Sequence, residues 1–209
     1  WEEAAAVGRE LVAREPSHHG AVQTLCLALD RLGDVLLSSA DSGRAAALFE
    51  EALRARRALV ERAPTDNQLR RDLGISLVKL GDVAAQERRG EDALAAYDEA
   101  EALFRQLLAV GGEATSRRDL AVTLQSAAKV RRMTGDLARV RAALEEALGL
   151  LRRLVDDAPE SAAALVDLSH ALQELGQLRD AEGDARAALA LAEECLALRR
   201  RLLEREPTS

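Results

Sequence analysis

Aromatic residues make up 2% of this 209-residue chain: one Trp, one Tyr and two Phe. So few rings leave a core of Ala and Leu and no platform on which nucleic-acid bases could stack. Lysine is nearly absent, since only Lys79 and Lys129 stand among 29 basic residues, and the formal net charge is −7. An acidic balance opposes nonspecific nucleic-acid binding, which needs a basic surface. No apolar run reaches the roughly 18 residues of a membrane span, and no secretory signal opens the sequence. These absences read as a cytoplasmic chain that engages neither nucleic acid nor membrane. The three histidines, His18, His19 and His170, show no H-x-x-x-H spacing, and no C-x-x-C, Gly-rich phosphate loop or Ser-His-Asp signature occurs. No metal, cofactor or catalytic residue is therefore expected, and the chain reads as a non-enzyme.

What is present is a repeat. Leu25, Leu73, Leu120 and Leu168 are spaced 48, 47 and 48 residues apart. Leu11, Leu59, Leu107, Leu154 and Leu202 follow the same period, and so do the helix breakers Pro16, Pro64, Gly112, Pro159 and Pro207. Self-similarity at such a period is the signature of a stacked array, in which each unit buries its apolar face on its neighbours. The unit is two helices. Leu73, Leu77, Leu80 and Ala84 recur at the spacing of one helix face, Gly90 lies in the break, and Ala93, Tyr97, Ala100, Phe104 and Leu107 mark the second face. Gly111 and Gly112 end it. The chain divides into a leftover second helix at 1–16 and four helix pairs at 17–64, 65–112, 113–159 and 160–207. The pattern predicts helices near 1–14, 19–39, 44–62, 67–88, 92–110, 116–133, 137–157, 161–181 and 185–205. Expected N-caps are Ser17, Thr65 or Asp66, Thr115 or Ser116, and Ser161, with Asp41 and Asp92 near helix starts. Sparse Pro confined to unit ends leaves no long linker, so 1–209 reads as one array.

The pattern Leu77-x-x-Leu80-Gly81, then Ala93, Tyr97 and Ala100, resembles the tetratricopeptide repeat. Leu29, Leu32, Gly33, Ala45, Phe49 and Ala52 match it in the first full unit, and Leu172, Leu175, Gly176, Ala188, Ala192 and Cys195 in the last. The third unit matches weakly, with Leu124, Ala127, Ala128, Val140, Leu144 and Ala147. The usual repeat of that family is about 34 residues; the longer unit here implies longer helices. The resemblance implies an all-α, right-handed α-solenoid of antiparallel helix pairs, about nine helices in all. It also implies a protein-interaction scaffold or regulatory module within a larger bacterial signalling or defence protein. The first helices would line a concave groove, with Asp30, Asp34, Val78, Asp82, Gln125, Lys129, Gln173 and Gln177 facing a protein or peptide partner. Acidic residues in the early units favour a basic or mixed-charge segment; the alternative is a merely solvated face.

A second function class is self-assembly. Neither end carries a polar cap, and Leu189, Leu196 and Leu203 run beside Leu191, Leu198 and Leu202 on the last helix. Such a face expects another copy, a following repeat or a neighbouring domain. Trp1 aligns with mid-helix Phe49, so the sequence reads as a piece of a longer protein, and its Arg-, Ala- and Leu-rich usage as that of a GC-rich bacterium.

One charged column repeats: Arg9, Arg57, Arg105, Arg152 and Arg200, beside Asp72, Asp119 and Asp167. Equal distances from the turns predict inter-repeat pairs Arg57–Asp72, Arg105–Asp119 and Arg152–Asp167; the other reading is a column for an anionic ligand. Cys26 and Cys195 lie three repeats apart, too far for a disulfide, and are expected as free thiols in a reducing compartment.

Overall fold

The computed structural model describes residues 1–15, 18–111 and 114–204. Among these it has nine α-helices and no strand: α1 (Glu2–Arg14), α2 (His19–Ser38), α3 (Ser42–Arg62), α4 (Asn67–Gln86), α5 (Gly90–Ala109), α6 (Ala114–Thr134), α7 (Leu137–Asp157), α8 (Ala162–Ala181) and α9 (Ala185–Leu203). The chain is all-α, built of antiparallel helix pairs in the manner of an α-solenoid. Pro16, Ser17, Gly112 and Pro207, used above as boundary markers or caps, fall outside the described residues.

The helix ends show why the period holds. Asp41, Asp66, Asp136, Ser161 and Asp184 are N-caps whose side-chain oxygens accept from backbone N–H groups of the first turn. Each satisfies a donor the helix cannot use internally. At the other end, Ala40 (φ 59°), Arg88 (φ 60°), Gly135 (φ 80°) and Gly183 (φ 82°) take the left-handed conformation just past each first helix. The Asp41, Arg89 and Asp184 N–H groups donate back to Leu36, Ala84 and Arg179 carbonyls, the wrap that ends a helix and turns the chain. Gly90, expected in the break, instead opens α5, and Arg88 supplies the left-handed residue.

The described residues fall into two compact units, Trp1–Val110 and Gly111 onward. In the first, α1 through α5 pack consecutively; in the second, α6 through α9 do. Two glycines show the direction of pairing. A Cβ at Gly81 would lie 2.5 Å from the Tyr97 ring, and one at Gly74 would lie 2.7 Å from the Phe104 ring. Seven residues back along α4 matches seven forward along α5, so the helices run antiparallel. Gly33 meets Phe49 in the same way in the preceding pair. These rings are fully buried, with Phe49 and Phe104 at 0% exposure and Tyr97 at 1%. In the second unit Leu120, Leu144, Leu151, Leu165 and Leu172 fill the core without any ring.

Candidate functional site

The second helices are joined by a ladder of ion pairs. Arg9 on α1 donates to both Glu51 carboxylate oxygens on α3 at 2.7 Å. Arg57 on α3 reaches Glu99 on α5 at 2.7 and 2.8 Å. Arg152 on α7 reaches Glu194 on α9 at 2.6 and 3.1 Å. All three pairs span 42 residues. The partners expected for Arg57 and Arg152 were Asp72 and Asp167; the structure gives Glu99 and Glu194. Asp167 instead accepts from Arg118 on α6. Asp72 accepts from Gln68 and lies nearest in charge to Arg56 and Arg71; burial raises its carboxyl pKa against their pull. The physical reason is that a side chain level with another along the axis need not point at it. These arginines face along the layer of second helices, not across the turn. Arg105 pairs with Glu101 one turn back at 2.9 Å, and Asp119 belongs to the other unit. A sequence signal for the ladder exists: Glu3, Glu51, Glu99, Glu146 and Glu194 each stand six residues before a column Arg. Such exposed pairs are worth roughly 0–1 kcal/mol each.

The first-helix residues separate into two groups. Asp30 is buried and held by Arg56, with Nη2–Oδ2 at 2.7 Å and Nη1–Oδ1 at 3.3 Å. Gln125 is buried as well, and its amide nitrogen finds no partner. Both are core residues, because neighbouring helices close over that face of α2 and α6. Asp34 pairs with Lys79, whose ammonium also sits 5.0 Å from the Phe49 ring centre. Asp82 accepts from the Tyr97 hydroxyl at 2.7 Å. Lys129 is exposed and pairs with Glu174 at 3.0 Å. Gln173 accepts from Arg199, Gln177 is exposed, and Val78 is half-buried.

Arg56 ties three helices together, since its guanidinium also donates to Ser76 on α4 at 2.5 Å. Burial opposes the Arg56 charge, but the Asp30 hydrogen bond and carboxylate hold its pKa above the usual arginine value. The neighbouring Cys26 thiol is buried and pushed up from 9.0 to about 11, by desolvation first, with Arg56 pulling the other way. Its Sγ–H donates to the Ala52 carbonyl at 3.6 Å. The unfolded thiol loses its proton near pH 9.0 while the folded one keeps it, so this group weakens the fold as pH rises past that value. Cys26 should resist iodoacetamide at pH 8 and react only at the rate of unfolding. Mass spectrometry of the alkylated peptide, with and without urea, measures it. Both cysteines are free thiols.

An open groove of 710 Å³ lies between α8 and α9, floored by Leu172, Gly176, Ala188, Ala192 and Cys195 and rimmed by Gln173, Gln177, Asp180 and Arg199; it adjoins the uncapped leucine face expected on the last helix. Leu189 is 61% exposed, Leu196 49% and Leu203 70%. At the matching positions of α7, Leu148 and Val155 are 4% and 9% exposed, because α8 packs on α7. Among the described residues no three His, Cys, Asp or Glu side chains gather to hold a metal. Among the described residues no helix is long and apolar enough to cross a membrane.

No family model matches the chain, and no curated protein sequence matches it. Solved structures do. One is BtubC (BKLC) from P. vanneervenii, at TM-score 0.59 and 19% identity, covering 100% of this chain and 91% of that one. Another is MamA, at TM-score 0.52 and 14% identity, covering 96% and 89%. A MamA RS-1 ArsTM double mutant follows at TM-score 0.50 and 18% identity, covering 96% and 85%. At these identities the likeness shows a helical-repeat fold.

Proposed function

We propose that this chain is a protein-interaction scaffold, a single tetratricopeptide-type array that binds through side-chain pockets and charge complementarity rather than by catalysis. The observation that supports this reading is the α8–α9 groove: an apolar floor with a polar rim, where elsewhere in the same unit a following helix is seated. Its size is that of a pocket able to hold part of a protein segment. A second surface is the first-helix face, where Asp34 and Asp82 stay half-exposed one repeat apart and suit a basic or mixed-charge segment. Val78 extends that face within the first unit, with Asp30 beneath it; Lys129, Gln173 and Gln177 stand at the corresponding positions of the second unit, with Gln125 beneath.

Immobilised chain tests the proposal with three baits: wild type, Asp34→Arg with Asp82→Arg, and Ala192→Phe. Wild type is expected to retain a lysate protein that one of the two altered baits loses. Identical recoveries from all three and from blank resin would reject the scaffold reading.

A further inference from the structure

Each helix pair turns between its first and second helix, and one of the four turns differs from the rest. Met133 and Leu137 flank the α6–α7 turn and are 75% and 44% exposed. In the repeat register, Met133 corresponds to Ser38, Gln86 and Ala181, and Leu137 to Ser42, Gly90 and Ala185. The other three turns thus carry small or polar residues where this one carries two large apolar side chains. Gly135 (φ 80°) reverses the chain between them, and the Leu137 N–H donates to the Gly135 carbonyl at 2.9 Å. Single exposed apolar residues need no account, but a pair at the end of one hairpin does.

Charge gathers at the same turn, in a chain whose formal net charge is −7. Residues 129–141 include five basic residues and one acid, whereas the equivalent stretches 34–46, 82–94 and 177–189 each hold more acids than bases. Lys129 stands four residues before Met133, and Arg141 four after Leu137. On both helices a cation therefore follows the apolar side chain one turn away from the tip. Arg132 and Arg139 are exposed beside them. Three carboxylates face these cations: Glu174 meets Lys129 at 3.0 Å, Asp136 meets Arg139 at 3.3 Å and Glu182 meets Arg141 at 3.4 Å. Pairs this open to solvent hold weakly, so the cations can turn to another anion.

We propose that the α6–α7 turn docks on an anionic lipid surface. Met133 and Leu137 dip into the acyl boundary, while Lys129, Arg132, Arg139 and Arg141 reach the head-group phosphates. Size favours lipid over a protein partner. A stable protein interface buries roughly 800 Å² on each side, more than two side chains on a turn supply, whereas lipid takes up each apolar side chain separately. Such a contact needs no membrane-spanning helix. The expectation of no membrane partner rested on the missing span and the acidic balance of the whole chain, and neither describes this turn.

The test is flotation of the full chain with phosphatidylcholine vesicles, with and without phosphatidylserine, at low and at physiological salt. Wild type should float with the phosphatidylserine vesicles alone, and less so as salt screens the contact. Met133→Asp should weaken binding about tenfold or more by removing an inserted side chain, and Arg132→Glu by a similar factor through charge. Both positions are exposed, so circular dichroism should stay unchanged. Arg54→Glu makes the same charge change on exposed α3 and should alter binding by no more than about twofold. Wild type that ignores phosphatidylserine vesicles at low salt overturns the inference. So does binding that survives Met133→Asp, or that falls equally with Arg54→Glu and Arg132→Glu. If wild type ignores vesicles while Met133→Asp loses a lysate protein, the turn belongs to a protein partner and the lipid surface is excluded.

Discussion

Asp30→Ala should cost about 3–5 kcal/mol, because it strands the buried Arg56 guanidinium without its counter-charge. The pair is tightly enclosed, with side-chain exposures of 13% for Arg56 and 11% for Asp30. It links α2 to α3, and the Arg56–Ser76 bond extends it to α4. Replacing both partners gives a different result. Asp30→Val with Arg56→Leu removes the charge together with its counter-charge, and a well-packed apolar pair in such a place is often neutral. Urea denaturation of the two single variants and the double closes a double-mutant cycle. A large coupling energy is expected. Arg57→Ala, which breaks an exposed ladder pair, should lose no more than about 1 kcal/mol on the same scale. If Asp30→Ala costs no more than Arg57→Ala, the buried network is not what ties these helices.

Phe49→Ala should cost a further large amount, about 3–5 kcal/mol, as a fully buried ring gives way to a cavity. The partner change works in the opposite direction sterically. Gly33→Ala places a methyl inside the Phe49 ring position and should cost roughly 1–3 kcal/mol by overpacking. The third full unit shows the compensation. There the pair is Ala128 and Leu144, both 1% exposed. Gly33→Ala combined with Phe49→Leu copies that solution and should lose less than the two single changes added together. Thermal unfolding of the set measures it, and strict additivity would show that ring and glycine do not act as one contact.

The helices were legible in the sequence because their determinants are local. Leucine spacing of 47 or 48 residues fixed the pairs, and Asp66 and Ser161 cap helices where the expected caps stand. Even so, Ala40 and Arg88 turn the chain without glycine, since the following aspartate or arginine N–H bonds back to the helix and holds the turn.

The site was less legible. A residue on the presumed open face of a first helix can point outward or into the neighbour, and one turn of the helix separates the two. Asp34 and Asp30 differ by four positions, yet one is half-exposed and the other is sealed against Arg56. The ladder partners were likewise set by how side chains fan across adjacent second helices, although the Glu six residues before each Arg was visible all along.

The sequence by itself determined the helices, their antiparallel pairing and their period, because turn chemistry and apolar spacing act over a few residues. Only the tertiary structure decided which charges meet, which polar groups are buried, and that the last pair leaves a groove beside Gly176. Those outcomes depend on which side chains from distant positions come into contact, and a difference of one helix turn changes them.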